Sequence, residues 1–167
     1  LDGVDLSIIR SDGQIEFSTV LDDYFEFDQV LRKNLINLRN KILVGKDIEK
    51  YSNEINQVER DFTIFNSKVI NKILKVYNDK VDIIGFHGQT IFHDSKSKIS
   101  EQLGNGQLLS QLTKKIVVNK FRQKDLDNGG QGAPLTPIFH KLISQLIDKK
   151  YNLNFPISII KFYFIIL

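Results

Sequence analysis

The order of segments along this 167-residue chain predicts an α/β fold. A pair of strand-like runs comes first, and an apolar stripe of helical period then extends from Ile48 to Ile73. Short buried-strand patterns return at residues 81–86 and 116–118, each close to a further helical pattern. Strands and helices that alternate in this way favour an α/β layer over a sandwich or a helix bundle.

The first segments predict a β-hairpin followed by a helix. Residues 4–10 alternate loosely between apolar and polar side chains, and Ser-Asp-Gly at residues 11–13 supplies a turn before a second strand-like run at residues 14–20. A helix then begins after Asp28, a suitable N-cap, and ends near Gly45. Its apolar positions recur at steps of three and four, at Leu31, Leu35, Leu38 and Ile42.

A longer helix is predicted at residues 47–77. Neither Gly nor Pro interrupts the chain between Gly45 and Gly85, and the apolar residues keep helical spacing. The stripe consists of Ile48, Tyr51, Ile55, Val58, Phe62, Phe65, Val69 and Ile73. Packing against a sheet is the favoured interpretation of this stripe, and a coil that joins two copies into a homodimer is the alternative.

Shorter elements are predicted in the second half. Strands are expected at residues 81–86, 90–93 and 99–103, followed by a short helix at residues 108–112 and a buried strand at residues 116–118. A polar, glycine-rich loop is expected at residues 120–133. A helix should begin at Pro134, because proline suits the first helical turn. Its apolar stripe comprises Leu135, Ile138, Phe139, Leu142, Ile143 and Leu146.

Composition narrows the classes of function. With 41% hydrophobic and 26% charged residues the chain is globular, and 23 basic against 20 acidic side chains give a net charge of +3, too small for an obligate nucleic-acid binder. The absence of cysteine excludes thiol chemistry, and three histidines leave little material for a zinc site. No apolar run reaches the ~20 residues of a membrane span, so no membrane partner is expected and the cytoplasm is the expected compartment.

Two glycine-containing turns after strand patterns are candidate ligand sites. Residues 85–90 read Gly-Phe-His-Gly-Gln-Thr, in which His87, Gln89 and Thr90 offer an imidazole, an amide and a hydroxyl suited to sugar hydroxyls. Residues 102–107 read Gln-Leu-Gly-Asn-Gly-Gln and add Asn105. A tight hairpin turn is the alternative at both places, and Asn-Gly is itself a strong hairpin signal.

A third candidate is the stretch at residues 122–135. Its Gly-Gly-Gln-Gly run precedes a predicted helix N-terminus, where free backbone N–H groups can hold an anion or a polar ligand. Asp125 or Asp127 beside it offers a carboxylate that can accept a proton. A solvated surface loop is the alternative.

Four motifs, in this order and spacing, carry a family resemblance. They are GFHGQTIFH at residues 85–93, QLGNGQLLSQLT at residues 102–113, the group Phe121, Arg122 and Asp125, and GGQGAPLTPIFH at residues 129–140. Together they resemble the anhydro-N-acetylmuramic acid kinases, enzymes of peptidoglycan recycling in the sugar kinase and actin-like ATPase superfamily. The resemblance implies a ribonuclease H-like (actin-like ATPase) domain at residues 1–160, with a mixed sheet and flanking helices.

The same resemblance implies an activity and its residues. The expected reaction is ATP-dependent cleavage of the 1,6-anhydro bond of anhydro-N-acetylmuramate with phosphorylation of O6, giving N-acetylmuramate 6-phosphate. Asp125 matches the catalytic position and would deprotonate the water that attacks the anomeric carbon, as in inverting glycoside hydrolysis. The sugar-pocket motifs are matched by His87, Gln89, Thr90 and Asn105.

The start of the chain resembles the end of the family's phosphate-binding signature, in Leu1, Asp2, Gly3, Val4 and Asp5. These residues imply an ATP-binding loop, with Asp5 as a residue for Mg²⁺. The Gly-Thr-Ser half of the signature does not precede them, and an aberrant apolar tail at residues 161–167 departs from the family pattern. We therefore expect a domain incomplete at its start, a missing second domain and impaired or absent catalysis. A non-catalytic sugar-binding or decayed fragment is the alternative.

Overall fold

Strands and helices alternate along the chain, which confirms the α/β class. The computed structural model describes residues 1–12, 16–77, 79–135 and 141. Strands β1 (Gly3–Ser11) and β2 (Phe17–Glu26) precede helices α1 (Gln29–Lys41), α2 (Gly45–Lys50) and α3 (Ser52–Val76). The second half contains β3 (Ile83–Phe86), β4 (Gln89–Asp94), β5 (Ile99–Leu103), α4 (Gly106–Thr113), β6 (Ile116–Asn119) and α5 (Phe121–Asp127). The helix expected from Pro134 falls almost wholly outside the described residues, and the boundary expected at residue 160 falls entirely outside them.

The described strands pair in three two-stranded sheets rather than in a single mixed sheet. β1 and β2 form the predicted antiparallel hairpin, with Gly3 opposite Glu26. β4 and β5 are also antiparallel, whereas β3 and β6 are parallel, with Ile83 opposite Ile116. Because parallel neighbours need a crossover connection, β4, β5 and α4 lie between β3 and β6 in the chain.

The core joins the helices to the strands that lead into the candidate site. Leu35 and Leu38 of α1 are both 0% exposed, and Phe62 of α3 is 4% exposed. The Phe62 ring stacks on Phe86 of β3 with 6.0 Å between centroids, and it meets the Phe27 ring edge-on at 5.9 Å. Each aromatic pair of this kind contributes about 0.5–1.5 kcal/mol beyond its burial. α3 is therefore packed directly beneath the end of β3.

The helix predicted at residues 47–77 is two helices that meet at Tyr51. The Asp47 carboxylate accepts the backbone N–H groups of Leu43 and Val44 at 2.9 and 3.0 Å, which caps α2 as a separate short helix. These bonds lower the pKa of Asp47. The apolar stripe of α3 packs within its own chain, as the favoured interpretation predicts, with Ile55 and the core residues after it buried. The homodimer stays a prediction.

The prediction of a loop at residues 120–133 is wrong for its first half, because α5 lies there. Lys120 has a φ of 58°, a left-handed conformation that turns the chain from β6 into the helix. Leu126 is 0% exposed and anchors α5 to the rest of the fold. The sequence did not predict this helix, because its residues are mostly polar and Leu126 is its one buried residue, too few for an apolar stripe. Within the described ranges, no helix is long and apolar enough to cross a membrane.

Candidate functional site

His87 and Gly88 connect strands of two different sheets. Since β3 pairs with β6 and β4 pairs with β5, the hairpin alternative for this turn is wrong. Gly88 has a φ of +73°, and a Cβ atom there would lie 2.2 Å from the carbonyl oxygen of Leu103. Only glycine fits such a close approach in this conformation. The backbone of this turn is therefore in close contact with Leu103 at the end of β5.

Asn105 is the N-cap of α4, so the hairpin alternative is wrong at the second turn as well. Its Oδ1 accepts the Leu108 N–H at 2.9 Å. Helix α3 holds this turn from below: the Gly104 N–H donates to Glu59 Oε1 at 3.2 Å, and the Asn105 N–H donates to Thr63 Oγ1 at 3.0 Å. Because the cap uses Oδ1, the amide nitrogen Nδ2 is the part of Asn105 available to a ligand.

The two glycine turns contact each other. A Cβ atom on Gly104 would lie 3.3 Å from the Gly88 Cα and 2.8 Å from the Phe86 ring. This close approach brings the turn of His87 next to the turn of Asn105. The structure thus unites two motifs that are separated by about one β-hairpin in the sequence.

Gln89 and Thr90 continue from the first turn into β4, opposite Leu103 and Gln102 of β5. The Gln89 side chain donates through Nε2 to the Thr90 carbonyl at 3.3 Å. The Thr90 hydroxyl is buried and has no hydrogen-bond partner among the described residues. A buried hydroxyl of this kind is a group that a ligand or a water molecule would satisfy.

The His87 ring is held as a neutral acceptor. The Gln102 amide donates through Nε2 to the His87 carbonyl at 3.0 Å, and Arg122 Nε donates to His87 Nε2 at 3.3 Å. Since a guanidinium only donates, Nε2 accepts and the proton lies on Nδ1, 2.9 Å from the Gly88 carbonyl oxygen. Burial, followed by the charge of Arg122, lowers the pKa of His87, although the Gly88 carbonyl acts in the opposite direction.

Asp125 and Arg122 of α5 bond to the Gly-Gly-Gln-Gly segment at residues 129–132, called the glycine loop below. Asp125 Oδ2 accepts the Gly132 N–H at 2.8 Å, and the Asp125 carbonyl accepts the Gly130 N–H at 2.8 Å. Arg122 Nη1 donates to the Gly132 carbonyl at 3.2 Å. A Cβ atom on Gly130 would lie 2.1 Å from Asp125 Oδ2, so this carboxylate needs a glycine beside it. The loop is thereby linked through Arg122 to the His87 turn.

Three of the five residues predicted to form an ATP-binding loop, Gly3, Val4 and Asp5, lie in strand β1, and Leu1 and Asp2 precede it. Val4 is 3% exposed and belongs to the core, and Asp2 forms an exposed ion pair with Arg32 at 2.8 Å. Asp5 lines a cleft of about 1190 Å³ between β1, the end of α3 and β3, which extends to Gly85. The residues predicted to bind sugar and the predicted base are not among those lining this cleft.

The role of Asp5 toward Mg²⁺ stays a prediction. Across residues 1–12, 16–77, 79–135 and 141, no three His, Cys, Asp or Glu side chains are grouped so that they would hold a metal ion. Mg²⁺ is usually held by one or two carboxylates together with phosphate oxygens and waters. A single carboxylate such as Asp5 could contribute to such a site only together with bound phosphate.

Four site residues were not assigned a role from the sequence: Gln102, Arg122, Glu59 and Thr63. The first two lie inside the quoted motifs, but their partners are far apart in sequence. Glu59 and Thr63 are polar residues one helical turn apart beside the apolar stripe of α3, and Thr63 is 0% exposed. A small polar residue in a buried helical face was the signal that could have identified it.

The fold and this cluster define an α/β protein with a polar, glycine-lined site at the carboxyl ends of its parallel strands. The sequence profile described as anhydro-N-acetylmuramic acid kinase matches residues 1–155, and the chain belongs to that family. An anhydro-N-acetylmuramic acid kinase of Pelagibacter ubique is 54% identical over 143 residues, which cover 86% of this chain and 38% of that protein.

More distant relatives carry the same name. The protein of Paramagnetospirillum magneticum is 34% identical over 147 residues, and that of Agrobacterium fabrum is 30% identical over 147 residues. Both alignments cover 86% of this chain and 39% of the relative. The chain thus spans about two fifths of the length of these curated relatives.

Proposed function

We propose that this chain provides the sugar-binding part of a kinase for anhydro-N-acetylmuramate. The reaction would open the 1,6-anhydro bond and transfer the γ-phosphoryl group of ATP to O6, giving N-acetylmuramate 6-phosphate. One observation carries the proposal: three motifs distant in sequence meet in a single cluster. The turns of His87 and Asn105 contact each other through Gly88 and Gly104, and Arg122 links them to the glycine loop.

The cluster has the chemistry of a sugar site. It presents amide groups from Gln89 and Asn105 and the buried hydroxyl of Thr90, which lacks a protein partner among the described residues, beside a His87 ring whose two nitrogens are engaged by Arg122 and Gly88. Sugar hydroxyls both donate and accept, so a mixed set of this kind suits them better than a set of like charges would. Glycine at the two turns lets the ligand approach the backbone closely.

Asp125 has two proposed roles that an experiment can separate. The family resemblance proposes a base: water adds to the anomeric carbon, its proton passes to the carboxylate, the bond from that carbon to O6 breaks, and O6 attacks the γ-phosphorus as ADP leaves. The contacts support a second role, since Oδ2 accepts the Gly132 N–H and so positions the glycine loop. Both roles are compatible, because an ionised carboxylate has about four acceptor sites and the Gly132 N–H uses one of them.

Substitution at Asp125 distinguishes the base from the loop support. Asp125→Asn keeps an oxygen that can accept the Gly132 N–H but removes the base, whereas Asp125→Ala removes both. Where the unaltered chain shows residual ADP release with the anhydro sugar, a carboxylate base predicts a fall of at least ~100-fold in Asp125→Asn, as loss of a general base gives. Residual release that Asp125→Asn keeps and only Asp125→Ala loses would leave the loop support as its role.

Isothermal titration calorimetry with purified anhydro-N-acetylmuramate tests the binding proposal without requiring turnover. Binding should be detectable for the unaltered chain and should weaken about tenfold for Thr90→Val, which keeps the shape but removes the hydroxyl. Lys124→Gln, an exposed change on α5, is the matched control and should bind normally. No heat of binding at millimolar sugar, from a chain shown to be folded, would contradict the proposal.

We further propose the finer features that the family suggests: a ribonuclease H-like domain that unites the strand pairs in one mixed sheet, ATP as phosphoryl donor, and a cytoplasmic location. The parallel pair β3–β6 and the initial hairpin support the first of these. An experimental structure in which β1 is hydrogen-bonded along β3, across the present cleft, would establish it. Well-separated edges of β1 and β3 in such a structure would contradict it.

A further inference from the structure

Arg122 joins three separate parts of the candidate site. It lies half-buried on α5, and its Nε donates to His87 Nε2 at 3.3 Å in the connection between β3 and β4. Its Nη1 donates to the Gly132 carbonyl at 3.2 Å in the glycine loop. Gln102 of β5 approaches the same histidine: its Nε2 donates to the His87 carbonyl at 3.0 Å and lies 3.4 Å from His87 Nε2, so it is a weaker second donor beside Arg122. A single guanidinium thus bridges two segments that are 45 residues apart in the sequence.

We propose that Arg122 is a positioning residue, which fixes the His87 ring with its proton on Nδ1 and its Nε2 as the acceptor, and which sets the spacing between that ring and the glycine loop. The effect on the sugar rests on the proposed function, whereas the effect on the ring does not. Arg122 acts through His87 and Gly132 and needs no contact of its own with the ligand.

The chemistry of the guanidinium supports this assignment. Its planar fork offers donors in fixed directions, so one side chain can bond two acceptors at a set separation, which the point charge of a lysine does not reproduce. Arginine never accepts a hydrogen bond, and therefore its presence forces Nε2 of His87 to be unprotonated. The opposite tautomer would place an N–H against an N–H.

Asp125 helps Arg122 to fix the position of Gly132. It lies three residues after Arg122 on α5, so the two side chains share one face of that helix. Arg122 bonds the carbonyl of Gly132 while Asp125 bonds its N–H, at 3.2 and 2.8 Å respectively. The glycine is thus held at both of its backbone polar groups, and a change in Arg122 should affect the loop and the imidazole together.

Nitrogen-15 NMR of the histidine rings tests the proposal directly. The chain has three histidines, and His87→Gln identifies the signal of His87. In the unaltered chain at pH 7.5, long-range nitrogen–carbon couplings should show His87 protonated on Nδ1 only. In Arg122→Gln the ring should become a mixture of tautomers and its pKa should rise, because a nearby positive charge has been removed. Lys124→Gln, which removes the same charge two residues along α5, should leave the ring unchanged.

The result that overturns the proposal is an unaltered His87 tautomer in Arg122→Gln, or a His87 ring protonated on Nε2 in the unaltered chain. Arg122→Lys provides a second variant should Arg122→Gln not fold: it keeps the charge but not the fork, so the pKa should stay low while the tautomers mix. A single Nδ1 tautomer in the lysine variant would overturn the requirement for the guanidinium fork, since a lysine ammonium also only donates.

Calorimetry then separates this inference from the proposed function. If the chain binds anhydro-N-acetylmuramate, Arg122→Gln should weaken binding about tenfold or more, because a charge-assisted hydrogen bond that orders the site is lost. Normal binding by Arg122→Gln would contradict the positioning role. If the unaltered chain does not bind the sugar, the proposed function fails while the tautomer measurement still decides the role of Arg122.

Discussion

Replacement of Asn105 separates its structural role from its proposed role in binding. The side chain caps α4 through one hydrogen bond, from the Leu108 N–H to Oδ1 at 2.9 Å. Asn105→Ala leaves that N–H unpaired at an exposed helix end, for which the expected cost is about 1 kcal/mol. The backbone bond to Thr63 does not involve the side chain and should remain. For a chain of this size, the melting temperature should fall by roughly 2–4 °C.

Two further variants complete the experiment. Asn105→Ser keeps an oxygen that caps the helix but lacks the amide nitrogen, so it should unfold like the unaltered chain and bind the sugar less tightly. Asp28→Ala removes the equivalent cap of α1, where Asp28 Oδ1 accepts the Leu31 N–H at 2.8 Å. That control should lose about 1 kcal/mol of stability without any change in sugar affinity.

Urea unfolding followed by circular dichroism gives the free energies, and calorimetry gives the affinities. A loss below about 0.3 kcal/mol in Asn105→Ala, beside a normal loss in Asp28→Ala, would refute the assignment of the cap. Unchanged sugar affinity in a stable Asn105→Ser would refute the role of the amide. The two results are independent, because one concerns Oδ1 and the other Nδ2.

Three other predictions concern the same region. Gly88→Ala should lower the free energy of unfolding by about 2 kcal/mol or more, because its Cβ would meet the Leu103 carbonyl oxygen at 2.2 Å in a left-handed conformation; a urea midpoint equal to that of the unaltered chain would contradict this. The pKa of His87 is lowered in the folded chain, so the unfolded chain binds more protons below about pH 6.5, and stability should fall as pH falls through that window. Thermal melts at a series of pH values should show a larger acid loss for the unaltered chain than for His87→Gln, and parallel curves would refute the assignment. Burial, followed by the charge of Glu59, raises the pKa of Glu101, so the stability that Glu101 contributes declines as pH rises above about 4.5. In the same melts the melting temperature of Glu101→Gln should therefore rise relative to that of the unaltered chain as the pH is raised above about 4.5, and a relative fall would contradict the assignment.

Local patterns in the sequence predicted most of the elements, because helical and strand periods are carried by neighbouring residues. Asp28 was predicted as a cap and is one, and the strand at residues 99–103 has the predicted bounds. The break at Tyr51 was missed, since it depends on the Asp47 carboxylate reaching back to residues 43 and 44 rather than on a glycine or a proline.

The site was predicted in its composition but not in its connections. The motifs pointed to His87 and Asn105, yet nothing in their spacing shows that Gly104 touches Gly88 or that Arg122 reaches the imidazole. These contacts depend on how β3 and β6 place their carboxyl ends side by side, which is a property of pairing between distant segments. The hairpin alternative at His87 was wrong for the same reason, because β3 pairs with the distant β6, whereas at Asn105 it was wrong because a helix follows the turn.

The anchoring of the Asn105 turn on α3 has a consequence for how a ligand would enter. The amides of Gly104 and Asn105 donate to side chains in the middle of a 25-residue helix, so their hydrogen exchange should be as slow as that of the core. The Gly132 amide donates to Asp125 on a helix of seven residues and should exchange much faster. We therefore expect the turn of Asn105 to be the rigid side of the candidate site, and the loop of Gly132 to be the side that opens when a ligand enters.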